Sequence, residues 1–339
     1  MQAITTRLLR APAVSQVVKP MHAENELLIK VYCAALNPTD WKHAKICWPG
    51  YIVGCDFSGR VEAIGRGVKE DFKVGDRVGG VVHGCKNART GAMAEYVAAD
   101  PALCWHMGKH TTFEEASTTG VGLVSATFSL CKLLHYPEAP AESDDTTNVG
   151  IHSIQLSKIL APHRPIYAVA SASHHDFLRS LGADRMYDYH DTGVEATIFD
   201  ASAGSIKSAI DGISEGDSTK RVAACMANVE NDQQKGHIVR MLPPRGVPAN
   251  VTADWIVSYT VLGEPFTFLF KSYPAMPDDR RMGSNVFKSL PKWIEEGRFT
   301  PIPHDLLEGL EGVPEGFRRL QAGSVRGKKL VTRVLKQDD

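Results

Sequence analysis

Several large classes of protein are excluded by what this sequence does not contain. No apolar run approaches the ~20 residues that a membrane-spanning helix needs. Neither sign of charge is in excess: Lys and Arg total 38, Asp and Glu 39, and the formal net charge is −1. Nucleic acid and anionic membranes are therefore not expected as partners. Cysteine is dispersed as Cys33, Cys47, Cys55, Cys85, Cys104, Cys131 and Cys225, an odd number with no CxxC pair. That pattern favours reduced thiols and a cytoplasmic location over a disulfide framework. The opening run Met1-Gln2-Ala3-Ile4-Thr5-Thr6-Arg7-Leu8-Leu9-Arg10 has no continuous apolar stretch of signal-peptide length and reads as a first β-strand. A GxGxxG dinucleotide fingerprint and internal repeats are also missing. The clearest low-complexity stretch, 137–145, is acidic and proline-bearing, and is expected to be a surface loop.

What is present suits a globular enzyme. The 339 residues are 43% hydrophobic and 23% charged, enough for two domains or one large α/β unit. Residues 1–120 look β-rich, with strand candidates at 27–36, 93–97 and 102–105. A helical region opens at 113–117, with Thr111 or Thr112 as N-cap, and apolar spacing carries it to Leu134. From about residue 150 helix and strand patterns alternate. The run 149–160 is an amphipathic helix, 165–170 a buried strand, 175–181 a helix closed by Gly182, and 186–189 a short strand. Residues 209–210, 221–224 and 236–242 are further strand candidates. Alternating βα units imply a doubly wound parallel sheet. The tail returns to a helix over 287–296 and a strand over 328–334.

The most informative stretch reads Gly54-Cys55-Asp56-Phe57-Ser58-Gly59, then Val61-Glu62-Ala63-Ile64-Gly65, then Val74-Gly75-Asp76-Arg77-Val78. Short β-type runs are cut by glycines at fixed offsets, which describes tightly wound strands and turns. Upstream lies Leu36-Asn37-Pro38-Thr39-Asp40-Trp41-Lys42. With these segments the chain resembles the medium-chain dehydrogenase/reductase superfamily, on its quinone-reductase and enoyl-reductase side. It is most similar there to the fungal trans-acting enoyl reductases of polyketide biosynthesis, over residues 2–335. The resemblance implies an α/β fold: a discontinuous GroES-like β-rich catalytic domain at 1–120 and 276–339, and a Rossmann-type NADP-binding domain at 121–275.

The resemblance also implies the site. Zinc-dependent members carry a cysteine just before the Asp of the first motif and Gly-His-Glu where this chain has Gly54-Cys55-Asp56; here the first motif is Asn37-Pro38-Thr39-Asp40, so no metal is expected. Thr39, Asp40, Trp41 and Lys42 match a segment bordering the nicotinamide, and Lys42 is placed to stabilise an enolate, or else serves as a structural ion-pair partner. At the end of the strand near 170, Ser171, Ala172, Ser173 and His174, with Tyr189, stand where dinucleotide enzymes tell NAD from NADP. With no acid before Asp176 the set favours NADPH. Thr147, Asn148, Val149 and Gly150 match the phosphate turn, and Val325 and Arg326, with Lys328 an alternative to Arg326, a C-terminal cofactor contact. Thr127 is a candidate catalytic donor or a helix-packing residue. Ser125, Ala126 and Phe128 line the substrate side, as do Leu262, Gly263, Glu264, Pro265 and Phe266, or these last form a core segment.

One segment departs from the family. The run 141–146, Ala-Glu-Ser-Asp-Asp-Thr, is too polar for the central strand of a parallel sheet, so the first Rossmann strand and glycine loop look truncated, by roughly eight to ten residues. A lost exon end, a diverged strand and a true loss all account for it.

By resemblance the chain is an NADPH-dependent trans-acting enoyl reductase of secondary metabolism. It would reduce an α,β-unsaturated acyl thioester on a carrier domain of a polyketide synthase or hybrid synthase. A stand-alone quinone or alkene reductase is the first alternative. A non-redox isomerase or cyclase, or an inactive relic on the same scaffold, is the second.

Overall fold

The computed structural model describes residues 1–136, 150–226, 235–268 and 271–335. Its contacts divide the chain into two compact units, Met1–Val121 with Tyr259–Asp339, and Gly122–Ser258. Residues 259–275, expected in the cofactor domain, thus lie with the first unit.

The first unit begins with the hairpin β1 (Gln2–Arg7) and β2 (Arg10–Gln16). Then follow β3 (Leu27–Leu36), α1 (Pro38–Ala44), β4 (Asp56–Ile64), β5 (Arg77–Val81), β6 (Tyr96–Ala99), β7 (Cys104–His106) and α2 (Phe113–Ala116). β3 is buried along almost its whole length, as its near-continuous apolar sequence requires. It lies at the heart of a seven-stranded sheet, antiparallel to β4 and β6. The expected strand at 102–105 is shifted, because Asp100 accepts the Ala102 N–H at 2.9 Å and turns Pro101–Leu103 into a short 3₁₀ segment. α2 starts as expected, with Thr112 and Glu115 closing a reciprocal cap.

The second unit begins at Gly122, inside α3 (Val121–Thr127), which runs into a π-helical segment, Phe128–Leu133. It continues with α4 (Gly150–Leu160), β8 (Tyr167–Val169), α5 (His175–Ser180), β9 (Arg185–Tyr187) and α6 (Val194–Ala201). β10 (Ser208–Asp211), α7 (Ser218–Ala224), β11 (Gly236–Arg240) and β12 (Val251–Trp255) complete it. Pairing is parallel throughout: β8 with β9, and β10 with β11 with β12. A doubly wound sheet runs in the order 3-2-1-4-5-6. Here β9-β8 stands as 3-2 and β10-β11-β12 as 4-5-6, and among the described residues no strand joins β8 to β10. The run 141–146, read as the truncated first strand, lies outside the described residues. Residues 221–224, read as a strand, belong instead to α7. Its first turn is fixed by Ser218 and Thr219, whose hydroxyls donate to Asp211 Oδ2 at 2.8 and 2.6 Å, and Ala223 turns into the core.

The chain re-enters the first unit through β13 (Phe266–Phe268) and β14 (Lys271–Tyr273), then α8 (Pro277–Glu295), β15 (His304–Leu307), α9 (Val313–Gln321) and β16 (Lys329–Arg333). α8 starts earlier than expected because Pro277 opens it and Asp278 and Asp279 occupy its first turn. β16 pairs antiparallel with β3, Leu330 facing Leu36 and Arg333 facing Cys33. Among the described residues no helix is long and apolar enough to cross a membrane.

Candidate active site

In the first unit the Asn37–Asp40 motif builds a helix start. Asn37 N donates to Asp40 Oδ2 at 2.7 Å, and Pro38 takes the first helical position of α1. The Asn37 amide oxygen accepts Lys329 Nζ at 2.9 Å, and the same ammonium donates to Asp56 Oδ2 at 2.6 Å. Asp56 Oδ1 accepts the Val121 N–H at 2.7 Å. Gly120 is required there, since a Cβ would lie 2.2 Å from that oxygen. The carboxylate is thus fully enclosed, and Lys329 supplies its counter-charge. Burial, then the neighbouring Asp56 charge, push Asp40 up to about 7.

One turn of α1 separates Thr39 from His43, so both fall on one face. The Tyr259 hydroxyl joins them, 2.9 Å from Thr39 Oγ1 and 3.0 Å from His43 Nδ1, with Cys55 Sγ at 3.6 Å. Gly54 places Cys55: its φ is +101° and a Cβ would meet Met93 N at 2.7 Å. The His83 ring stacks on Tyr259 at 3.8 Å, and Phe266 and Phe268 close the box. Burial holds both imidazoles neutral, His43 lowered to about 4 and His83 to about 3, and raises Tyr259 and Cys55. Lys42, half-buried, lies with its ammonium 5.5 Å from the Trp41 ring. Among the described residues no cluster of three or more His, Cys, Asp or Glu side chains is arranged to hold a metal ion.

These shifts set a pH dependence. The unfolded chain takes up protons on His43 and His83 near their ordinary value of 6.5, whereas the folded protein binds them only near 4 and 3. Asp40 works the other way, because the folded form keeps its proton up to about 7 against 3.8 when exposed. Between those limits the unfolded state binds a net one proton more, so stability falls on acidification from pH 6.5 towards 4, on the order of 1 kcal/mol per pH unit. Urea midpoints at pH 5 and pH 6.5 read this directly, and His83→Phe should flatten the slope. A midpoint that holds or rises at pH 5 contradicts it.

The other predicted residues fall in different surroundings. Leu262 and Gly263 follow Tyr259 in the first unit; Glu264 pairs with Lys86, Pro265 is exposed, and Phe266 stacks on Tyr273 at 5.0 Å. Val325 packs on the core, while Arg326 is exposed, its Nε on Gly323 O at 3.3 Å. Lys328 is ion-paired with Asp305 at 2.8 Å. In the second unit Ser125 Oγ meets Ser258 Oγ at 2.9 Å, and Ala126 and Phe128 are buried. Thr127 is 1% exposed and its hydroxyl donates to Leu123 O at 2.8 Å, which commits its proton to the helix. That is the helix-packing arrangement, and it does not suit a substrate donor.

At the end of β8, Ser171 Oγ donates to Tyr189 OH at 3.2 Å, with Ser173 exposed and His174 half-buried beside them. Asp188, an acid at this strand end, is engaged. Its Oδ2 accepts Ala172 N at 2.9 Å and its Oδ1 accepts His190 N at 2.9 Å, and these backbone bonds lower it to about 2. What remains at this strand end is hydroxyl and imidazole. Gly150 opens α4 at φ +51°. Thr147, Asn148 and Val149 lie outside the described residues.

A β-rich unit built on a Gly-Cys-Asp turn and a parallel-stranded unit with dinucleotide-type strand ends together define a medium-chain dehydrogenase/reductase. Residues 23–109 match the alcohol dehydrogenase GroES-like domain. Solved structures agree on the fold. A putative zinc-dependent alcohol dehydrogenase from Rhizobium etli has a TM-score of 0.80 at 19% identity, covering 99% of each chain. CurK enoyl reductase has 0.72 at 16%, covering 98% of this chain and 99% of its own. Trans-enoyl reductase resD of Aspergillus sclerotiorum is 34% identical over 98% of this chain and 100% of its own length. Trans-enoyl reductase apdC of Emericella nidulans is 32% identical over 96% and 94%. The chain belongs to the trans-enoyl reductases, oxidoreductases of carbon–carbon double bonds that work with a nicotinamide cofactor.

Tyr259, His43, His83 and Lys329 were not singled out in the sequence. Only His43 left a signal there, at four residues from Thr39; the others come from up to 292 residues away.

Proposed function

We propose that this protein reduces the α,β-double bond of a polyketide acyl thioester carried on an acidic carrier domain of a polyketide synthase or hybrid synthase, using NADPH, in the cytoplasm. The single observation that carries this reading is the α1 turn. It sets Thr39 and His43 on one face, with Tyr259 bonded to both in a buried, neutral surround, and carries Lys42 in the same turn. When bound, NADPH supplies the hydride. Ser171, Ser173, His174 and Tyr189 would hold its 2′-phosphate. Lys42 stabilises the negative oxygen that forms when the β-carbon is reduced. Tyr259 holds a proton within the Thr39–His43 chain. With the Thr127 hydroxyl engaged, Lys42 carries the catalytic assignment of the pair.

NADPH titration by fluorescence, followed by turnover of an enoyl thioester of coenzyme A, tests this. Saturable binding with oxidation of NADPH is expected. A folded protein that binds no NADPH fails the proposal in favour of a non-redox role, and turnover of quinones but not enoyl thioesters fails it in favour of a stand-alone reductase. Ser171→Asp should raise the NADPH Kd by ~10- to 100-fold while improving NADH binding, since an acid there favours the free 2′-hydroxyl. Equal affinity for the two cofactors in both proteins would remove the assignment.

The carrier half of the reading is supported by one surface. Leu8 and Leu9 are 72% and 97% exposed, Ile46 and Trp48 58% and 75%. Thr6 ties the two segments together, donating through Oγ1 to Trp48 O at 2.5 Å. Arg7, Arg10 and Lys45 accompany them, exposed, and residues 7–10 and 43–51 contain no acid. Reversing Arg10 and Lys45 to Glu should raise KM for a carrier-borne substrate by ~10-fold or more and leave that for the coenzyme A thioester unchanged. Equal changes for both substrates would locate the effect elsewhere.

A further inference from the structure

Thr39, His43 and Tyr259 close a ring of hydrogen bonds. Tyr259 OH lies 2.9 Å from Thr39 Oγ1 and 3.0 Å from His43 Nδ1, both within the reach needed for proton transfer. The third side, Thr39 Oγ1 to His43 Nε2, is longer at 3.4 Å. Tyr259, His43 and Cys55 are buried, whereas Thr39 is half-buried. Thr39 is therefore the member of the ring that reaches the surface of this unit. Lys42 follows it three residues on, in the same turn of α1.

The protons in the ring have a preferred direction. Each group has one to give, because burial keeps His43 neutral and the phenol protonated. With the His43 proton on Nδ1, the imidazole donates to the phenol oxygen and the phenol donates to Thr39 Oγ1. The Thr39 proton then has only the long contact to Nε2 as an acceptor among the described residues. It also escapes the fate of Thr127, whose hydroxyl is committed to a carbonyl one turn back. Thr39 is the second residue of α1, so the residue four places behind it belongs to β3 and not to a helix. Its hydroxyl is free to turn outward, with a second proton held behind it on Tyr259.

We propose that Thr39 and Tyr259 form the relay that protonates the α-carbon of the acyl thioester. The inference rests on the reading that an enoyl thioester is the substrate. Once the β-carbon is reduced, the electron pair of the enolate takes the Thr39 proton and forms the α C–H bond. Thr39 Oγ1 takes the phenol proton as its own departs. Tyr259 is left as a phenolate, held by the His43 Nδ1–H at 3.0 Å and by the Cys55 thiol at 3.6 Å. After the product leaves, water returns one proton through Thr39, and the protein is as it began. Thr39 is the catalytic residue of the relay, and Tyr259 acts through it.

The test is turnover of a 2-methyl enoyl thioester of coenzyme A by the full chain with NADPH, since the product's 2-methyl centre records the face that is protonated. The unsubstituted protein should give one epimer. Tyr259→Phe and Thr39→Val should each lower kcat by ~10²-fold and yield both epimers. KM and the Kd of NADPH should stay within about twofold, because the lost step follows binding. Thr39→Ser should restore both rate and epimer. If Tyr259→Phe does not fold, Thr39→Val and Thr39→Ser decide alone, since Thr39 is half-buried. Thr39→Val with unchanged kcat and a single epimer overturns the relay while the reductase reading stands. So does Thr39→Ser that stays as slow as Thr39→Val, which makes Thr39 a packing residue. No NADPH oxidation by the unsubstituted protein ends the reductase reading, and the relay with it.

Discussion

Lys329→Met is expected to lower the unfolding free energy by about 3–5 kcal/mol, the largest loss of any single surface-to-core contact described above. Asp56 is 0% exposed and the Lys329 side chain only 11%, so the pair is nearly dry. Removing the ammonium leaves an uncompensated carboxylate in the core and also strips the Asn37 amide oxygen of its donor. Methionine keeps the volume, which separates charge loss from cavity formation. Equilibrium denaturation in urea measures the change. The double variant Asp56→Asn with Lys329→Met should recover more than half of it, because the amide no longer demands a cation. A single-variant loss below ~1 kcal/mol would mean that water reaches Asp56 and screens it.

Lys42→Met is expected to reduce kcat/KM for an enoyl thioester by ~10²- to 10³-fold, the scale of losing one group that faces developing negative charge. NADPH affinity and melting temperature should move little, since Lys42 is half-buried beside the Trp41 ring and not part of the Asn37–Asp56–Lys329 core network. Lys42→Arg should retain most of the activity. If Lys42→Met instead lowers the melting temperature and leaves turnover intact, the lysine is a structural ion-pair partner and the enolate must be held by another group.

How much of this was legible in the sequence depended on whether local rules or distant contacts decided each element. β3 reads off directly because a strand buried on both faces has only one sequence solution, a near-continuous apolar run. α2 is equally plain, since Thr112 and Glu115 carry their own cap. α7 was misread because its short apolar run fits either period, and the choice was made by Asp211, a residue on a neighbouring strand. The site divides in the same way. Thr39, Asp40 and Lys42 sit in a motif with recognisable spacing. Tyr259 sits between Ser258 and Thr260 with nothing local to mark it, and it reaches Thr39 across 220 residues. Thr127 had the right type and place for a donor, but a helical hydroxyl with a carbonyl four residues behind it bonds backward.

The position of β16 has a consequence for synthesis of the chain. The Cys33–Leu36 half of β3 pairs with β16 on the side away from β4, and Lys329 is the first residue of that strand. A nascent polypeptide must therefore carry an open strand edge and an unneutralised Asp56 until Lys329 and the rest of β16 have left the ribosome. The polar centre around Asn37 is thus completed only once β16 emerges, and a chain stopped before residue 329 would leave that centre incomplete.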